Sequence, residues 1–301
     1  MTRRLLFILA LLGLTGAFPA SAALNVVATV PEWGALAQEI GGDKVEVFTA
    51  THALQDVHRI EAKPSVIARV RSADLVVATG AELEVGWLPV LLRESGNARV
   101  QPGRPGYFEA AEHVTLLEVP PKLDRAEGDV HPAGNPHIHL DPRNILKVGE
   151  ALAARLAQLD APNAAAYTAN YRAFGERWRS AAARWQSQAA PLSGVAVVVH
   201  HRAYGYLAAW LGLKEVAALE PKPGVEPTSG HLADVLGRLK TQPARMVIRS
   251  AYHSDAPSRW IEERARIPAV VLPFTVGGTP EAKDLFGLFD DTIARMLKAL
   301  R

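Results

Sequence analysis

The stretch NAAAYTANYRAFGERWRSAAARWQSQAA, Asn163–Ala190, decides the fold. Within it Tyr167, Tyr171, Phe174, Trp178, Ala181 and Trp185 recur at alternating spacings of four and three, which places them on one face of an α-helix. Asn163 stands at the capping position, and Pro191 and Gly194 end the run. At ~1.5 Å per residue such a helix is ~40 Å long, more than one small domain is wide. A helix of that length between two similar halves reads as a spine that joins them.

Outward from the spine, both flanks alternate strand and helix. On the N-terminal side, Leu24–Val30 (LNVVATV) reads as a buried strand ended by Pro31, and Glu32–Ile40 as a helix stopped by Gly41-Gly42. Val45–Thr49 is a second strand, Pro64–Arg71 a helix and Leu75–Ala78 a third strand. A further helix runs from Pro142 to Leu159. On the C-terminal side, strands are expected at Val195–His200, Met246–Ile248 and Val270–Leu272. Helices are expected at Tyr204–Leu211, Leu232–Lys240, Ser258–Arg266 and Asp284–Leu300. Short connections and regular alternation predict an α/β architecture of two lobes, each a small mostly parallel sheet flanked by helices. The expected division is 23–160 for the first lobe, 161–191 for the linking spine and 192–301 for the second lobe.

Arg3-Arg4, the apolar run Leu5–Phe18 and the small-residue triplet Ala20-Ser21-Ala22 read as a cleavable signal peptide, residues 1–22. The chain is therefore expected to work outside the cytoplasm, in the periplasm, without a lipid anchor. It has no cysteine, so it has neither disulfides nor thiolate ligands, and any metal must be held by His, Asp and Glu. A formal net charge of +2 gives no reason to expect a nucleic acid partner. Residues 119–135 are poor in large apolar side chains and read as a mobile loop carrying His131.

Asn135-Pro136-His137-Ile138-His139-Leu140-Asp141-Pro142 places two imidazoles and a carboxylate within five residues, bracketed by prolines. Proline holds the residue before it extended, so His137 and His139 are expected on a short straight segment, pointing to the same side. Two further loops carry histidines at strand ends: His58 beyond Val45–Thr49 and His201 beyond Val195–His200. Open sheets of this kind bind ligands at the carboxyl ends of their strands. Neutral imidazole is the commonest ligand for zinc and its neighbours.

These segments together resemble the metal-specific solute-binding proteins of bacterial ABC importers, the periplasmic zinc- and manganese-binding family. Asp56-Val57-His58-Arg59-Ile60-Glu61 with Pro64-Ser65 is similar to the family's first ligand loop, with Val57 where proline is usual. Ala73-Asp74-Leu75, Gly80, Glu82-Leu83-Glu84 and Trp87 continue the match. Asn135–Pro142 resembles the second ligand motif, with His139 where an aromatic residue is usual, and His201-Arg202-Ala203-Tyr204-Gly205-Tyr206 resembles the third. Gly224-Val225-Glu226-Pro227-Thr228 matches a further segment. The resemblance implies two α/β lobes joined by a rigid helix, a metal between the lobes, and His58, His137 and His201 as ligands. It also implies a membrane permease as partner.

The family supplies a fourth, carboxylate ligand after a late strand, and here the match weakens. Pro273–Pro280 carries no carboxylate, so Asp284 is favoured, because Gly277-Gly278 let the chain fold back. Glu281 and water are the alternatives, and Asp284 also stands where an acid favours a helix start. His131 is a candidate for transient metal capture, and His139 for an auxiliary ligand, a second donor or a packed residue. Glu61 and Asp141 are expected to orient loops or imidazoles, and His52, His113, His231 and His253 to be ordinary surface or hydrogen-bonded residues.

Three nitrogens and one oxygen suit Zn2+; Mn2+ and iron(II) prefer more oxygen. The expected function is capture of Zn2+ and delivery to the permease by a monomer, with a periplasmic zinc metallochaperone as a possible donor. Two rivals use the same residues. His137-x-His139-x-Asp141 is superficially similar to a zinc hydrolase motif, but Pro142 stands where such enzymes continue with histidine. A cell-surface adhesin with a purely structural metal is the other.

Overall fold

The computed structural model describes residues 22–120, 128 and 131–301. The expected signal peptide lies outside them apart from Ala22, as do residues 121–127 and 129–130 of the expected mobile loop. Among the described residues no helix is long and apolar enough to cross a membrane.

The first sheet has four parallel strands in the order β2-β1-β3-β4: β1 Leu24–Ala28, β2 Val45–Thr49, β3 Leu75–Ala78 and β4 Tyr107–Glu109. The second repeats this plan as β6-β5-β7-β8: β5 Ala196–Val199, β6 Lys214–Ala218, β7 Met246–Ser250 and β8 Ala269–Leu272. The central strands are continuous apolar runs because both their faces are covered; Leu75, Val76, Val77 and Ala78 are all fully buried. In each sheet the chain leaves the first strand toward one neighbour and returns to its other side. This creates the crevice at the strands' carboxyl ends where open sheets bind ligands.

Proline sets several helix starts by supplying a fixed φ where no N–H is needed. It stands in the first turn of α1 (Pro31–Gly41), α2 (Pro64–Ser72) and α4 (Pro142–Leu159), and α3 (Leu88–Ser95) follows β3. The spine, α5, spans Ala164–Gln188. Its first half packs on α1 and α4, and its second half on the closing helix α9, Leu285–Ala299. The aromatic stripe makes this junction. Trp178 and Trp185 are fully buried, and their rings contact Phe286 and Phe289 of α9 at 4.9–6.3 Å between centroids. Both indole N–H groups are satisfied, Trp178 donating to Pro142 O and Trp185 to Asp290 Oδ1. One apolar cluster therefore runs from Val26 in the first lobe through the spine to Met296. The outer face of the second sheet has its own core, where Val198, Leu219 and Val247 pack under α7 (Ser229–Leu239) and α8 (Ala256–Ala265).

Three elements, α3, β4 and β6, were not expected from sequence. β4 has three residues, and β6 (KEVAA) lies at a sheet edge with its first two residues exposed.

Candidate metal centre

The imidazoles of His58, His137 and His201 converge. One nitrogen from each lies within 4.8 Å of the other two, and their ring centroids are 5.5–5.9 Å apart. A tetrahedral zinc with ~2.0–2.1 Å bonds needs its nitrogens ~3.4 Å apart, so small rotations of the rings suffice.

Two of the three rings are held from behind by a carboxylate. The Asp56 carboxylate accepts from His58 N at 3.0 Å and pairs with His58 Nδ1 at 2.9 Å, which leaves Nε2 facing the centre. Burial pushes the Asp56 carboxyl up, but the hydrogen bond and charge of His58 outweigh it and hold the group down at about 2. The His58 loop is pinned by Trp87 Nε1, which donates to Val57 O at 2.9 Å. On the other lobe the Glu220 carboxylate, just beyond β6, pairs with His201 Nδ1 at 2.7 Å and accepts from Gly224 N. His137 is 2% exposed, and neither of its ring nitrogens has a partner. Burial, then the neighbouring imidazoles, pull its pKa well below the ordinary 6.5, so it is neutral and ready to ligate at neutral pH.

His131 joins this group from outside it. Its ring centroid is 5.3 Å from that of His58, and its Nε2 is buried without a partner. Burial, helped by His58 and His201, lowers its pKa to about 4. A cavity of about 210 Å³ beside it is lined by His131, His137, His201, Asn135 and Glu118.

The straight segment expected around His137 and His139 is a 3-10 turn over Ile138–Leu140. Asn135 Oδ1 accepts from His137 N and coils the chain, while the prolines constrain only the residues before them. The two imidazoles therefore diverge. His139 faces Glu32, with Nδ1 at 3.2 Å from Oε1, and its Nε2 donates to Phe274 O at 2.9 Å. Thr275 Oγ1 donates to the other Glu32 oxygen. Glu32 and His139 are 2% and 1% exposed, so this is a buried clasp between the first lobe and the end of β8. Phe274, held at φ 67°, packs its ring against His137, His139, Tyr204 and Tyr252. A bulky residue in the left-handed region is strained, and the carbonyl bond from His139 helps hold it there.

Asp284 is not among the gathered ligand atoms. It caps α9, its Oδ1 accepting from Gly287 N at 2.7 Å, so the helix start uses the carboxylate that sequence had favoured as a ligand. Glu281 pairs with Arg295. Glu61 is exposed, and Asp56 holds His58 instead. Asp141 is buried, caps α4 and forks with Arg143, fixing the end of the His137 motif. His52 and His231 bond to nearby backbone, and His113 stacks on Phe108.

A sequence profile of the periplasmic zinc-uptake complex component A family matches residues 26–299. The chain belongs to that family. Its members are transport components, so the hydrolase reading falls. The high-affinity zinc uptake system protein ZnuA of Paracoccus denitrificans is 26% identical over 95% of this chain and 94% of its own. A manganese ABC transporter substrate-binding lipoprotein of Streptococcus gordonii is 28% identical over 51% of this chain and 47% of its own. A crystal structure of ZnuA superposes with a TM-score of 0.77 over 93% of this chain and all of its own, at 22% identity, a likeness of fold. Within the family the chain is a metal-binding, substrate-binding component of an ABC importer.

Proposed function

We propose that this protein captures Zn2+ between its lobes and delivers it to the membrane permease of an ABC importer. The observation that carries this is the set of three converging imidazoles, with a carboxylate behind His58 and His201 but none among the gathered donors. Three imidazole nitrogens favour zinc over manganese, which needs more oxygen. His131 is the donor best placed to close the fourth position, with water as the alternative, and Asp284 stays with its helix. Loading requires deprotonated imidazoles, so affinity falls as the medium becomes acidic.

The test is competition. Chelator-stripped protein is offered equal Zn2+ and Mn2+, and bound metal is counted per chain, with His131→Ala and Asp284→Ala alongside. One tightly held zinc per chain, weakened by His131→Ala and not by Asp284→Ala, is the expected result. Preference for manganese would overturn the choice of cargo, and absence of tight metal would overturn the reading as a whole.

A further inference from the structure

We propose that a second transition-metal site lies in the C-terminal lobe, formed by His200, Glu220 and His253 and separate from the three imidazoles above. One ligand atom from each lies within 4.8 Å of the other two. Each residue stands at the carboxyl end of a parallel strand: His200 directly after β5, Glu220 just beyond β6 and His253 in the turn after β7. The sheet's three neighbouring strands thus aim one donor each at the same point.

The two histidines of this group carry nitrogens that nothing else among the described residues uses. The rings of His200 and His253 stack with centroids 4.1 Å apart and planes 17° apart, and the Nδ1 atoms of both are buried without a hydrogen-bond partner. Buried polar atoms in folded proteins almost always find a partner, and two orphan nitrogens beside a carboxylate form a donor set that a zinc-class ion satisfies. The backbone holds the arrangement. Glu220 N donates to His200 O, His200 N to Ile248 O and His253 N to Ser250 O, while Arg249 Nη1 grips the His253 carbonyl. Two nitrogens and one oxygen leave a coordination position open, so the site is built for an ion that exchanges.

Glu220 belongs to both places. The carboxylate that orients His201 through its Nδ1 is the oxygen donor of the second site. His201 and His253 have ring centroids 6.1 Å apart, so the two ions would be neighbours coupled through one carboxylate. An ion at the second site draws on the group that positions His201, so filling it loosens the first, as a station for arriving or departing metal requires.

The test uses the tag-free chain and Zn2+ alone. Equilibrium dialysis with metal counting is expected to give two zinc ions per chain at saturation, the second bound more weakly. His253→Gln is expected to hold one. His58→Ala/His137→Ala is expected to lose the tight ion and keep the weaker, which separates this site from the proposed capture site. Crystals of the unaltered protein soaked in Zn2+ provide a test that needs no variant: an anomalous peak within bonding distance of His200, Glu220 and His253. A single ion per chain at saturation, a second ion that survives His253→Gln, or a map with no such peak would each overturn the proposal.

Discussion

The two lobes share one strand order and deliver their candidate ligands in different ways. The second lobe presents His201 two residues past the end of β5, at Val199, so this candidate rides on the sheet itself. The first lobe presents His58 nine residues past β2, at Thr49, and His137 at the end of a longer excursion after β4. Those loops are held by side-chain contacts: Asp56 and Trp87 at the His58 turn, Asn135 on the His137 N–H, and Tyr206, reaching from the other lobe to the Asn135 carbonyl. One jaw carries its histidine on a strand end and the other on long loops. The looped jaw also carries His131, beside His58.

The largest expected effect tests that asymmetry. His201→Ala should lower zinc affinity by more than the ~10–100-fold that outer partners of a metal ligand typically cost. His58→Ala should lose less than His201→Ala, because the loop that carries His58 also carries Asp56, whose carboxylate is freed to act as a substitute donor. Equal losses in competition titrations would remove the distinction between the jaws. Next, Trp178→Ala should destabilise the fold by about 3–5 kcal/mol, because it empties a site packed by both lobes. Since the cluster is continuous, calorimetry should still show one transition, and two separate transitions would mean that each lobe melts alone.

The metal-free protein should also weaken in mild acid. His131 and His200 hold pKa values near 4 in the fold against an ordinary 6.5. Between those pH values the unfolded chain binds protons that the folded chain excludes, so stability is full above pH 6.5 and falls toward pH 4. Thermal melts across that window check this, and a flat profile would contradict it. The smallest effect is at Asp284. Its replacement by Ala should cost about 1 kcal/mol of stability as a lost helix cap and leave zinc affinity unchanged.

Much of this was legible in the sequence. The spine's aromatic stripe and the strand–helix alternation are local patterns that side-chain periodicity reports, and the three histidine loops were legible from their place at strand ends and their resemblance to a family. The rest depended on partners distant in the chain. Nothing near His139 announces that it bonds Phe274 and faces Glu32 instead of joining the three imidazoles. His253 reads from sequence as an ordinary surface or hydrogen-bonded residue; the available signal was its place just beyond a strand end, the position His201 also takes. Asp284 could serve as a ligand or as a cap, and in the structure its Oδ1 accepts from Gly287 N as a cap. β6 was missed because Lys214-Glu215 at its exposed start carries no apolar alternation.

The clasp of Glu32, His139, Phe274 and Thr275 bears on how such a protein announces that it is loaded. Receptors that shut like a hinge signal cargo by a change of outline, and a docking partner can select the closed silhouette. Here a buried acid and imidazole clasp the lobes beside the three imidazoles, and the spine joins them behind. Empty and filled molecules should therefore have nearly the same outline, and small-angle scattering of the two forms should superimpose. A permease facing this protein would have to read the ordering of the His58 and His137 loops instead of its overall shape. Empty carriers would then compete with full ones for the same berth, making the queue at the membrane sensitive to how much metal-free protein is present.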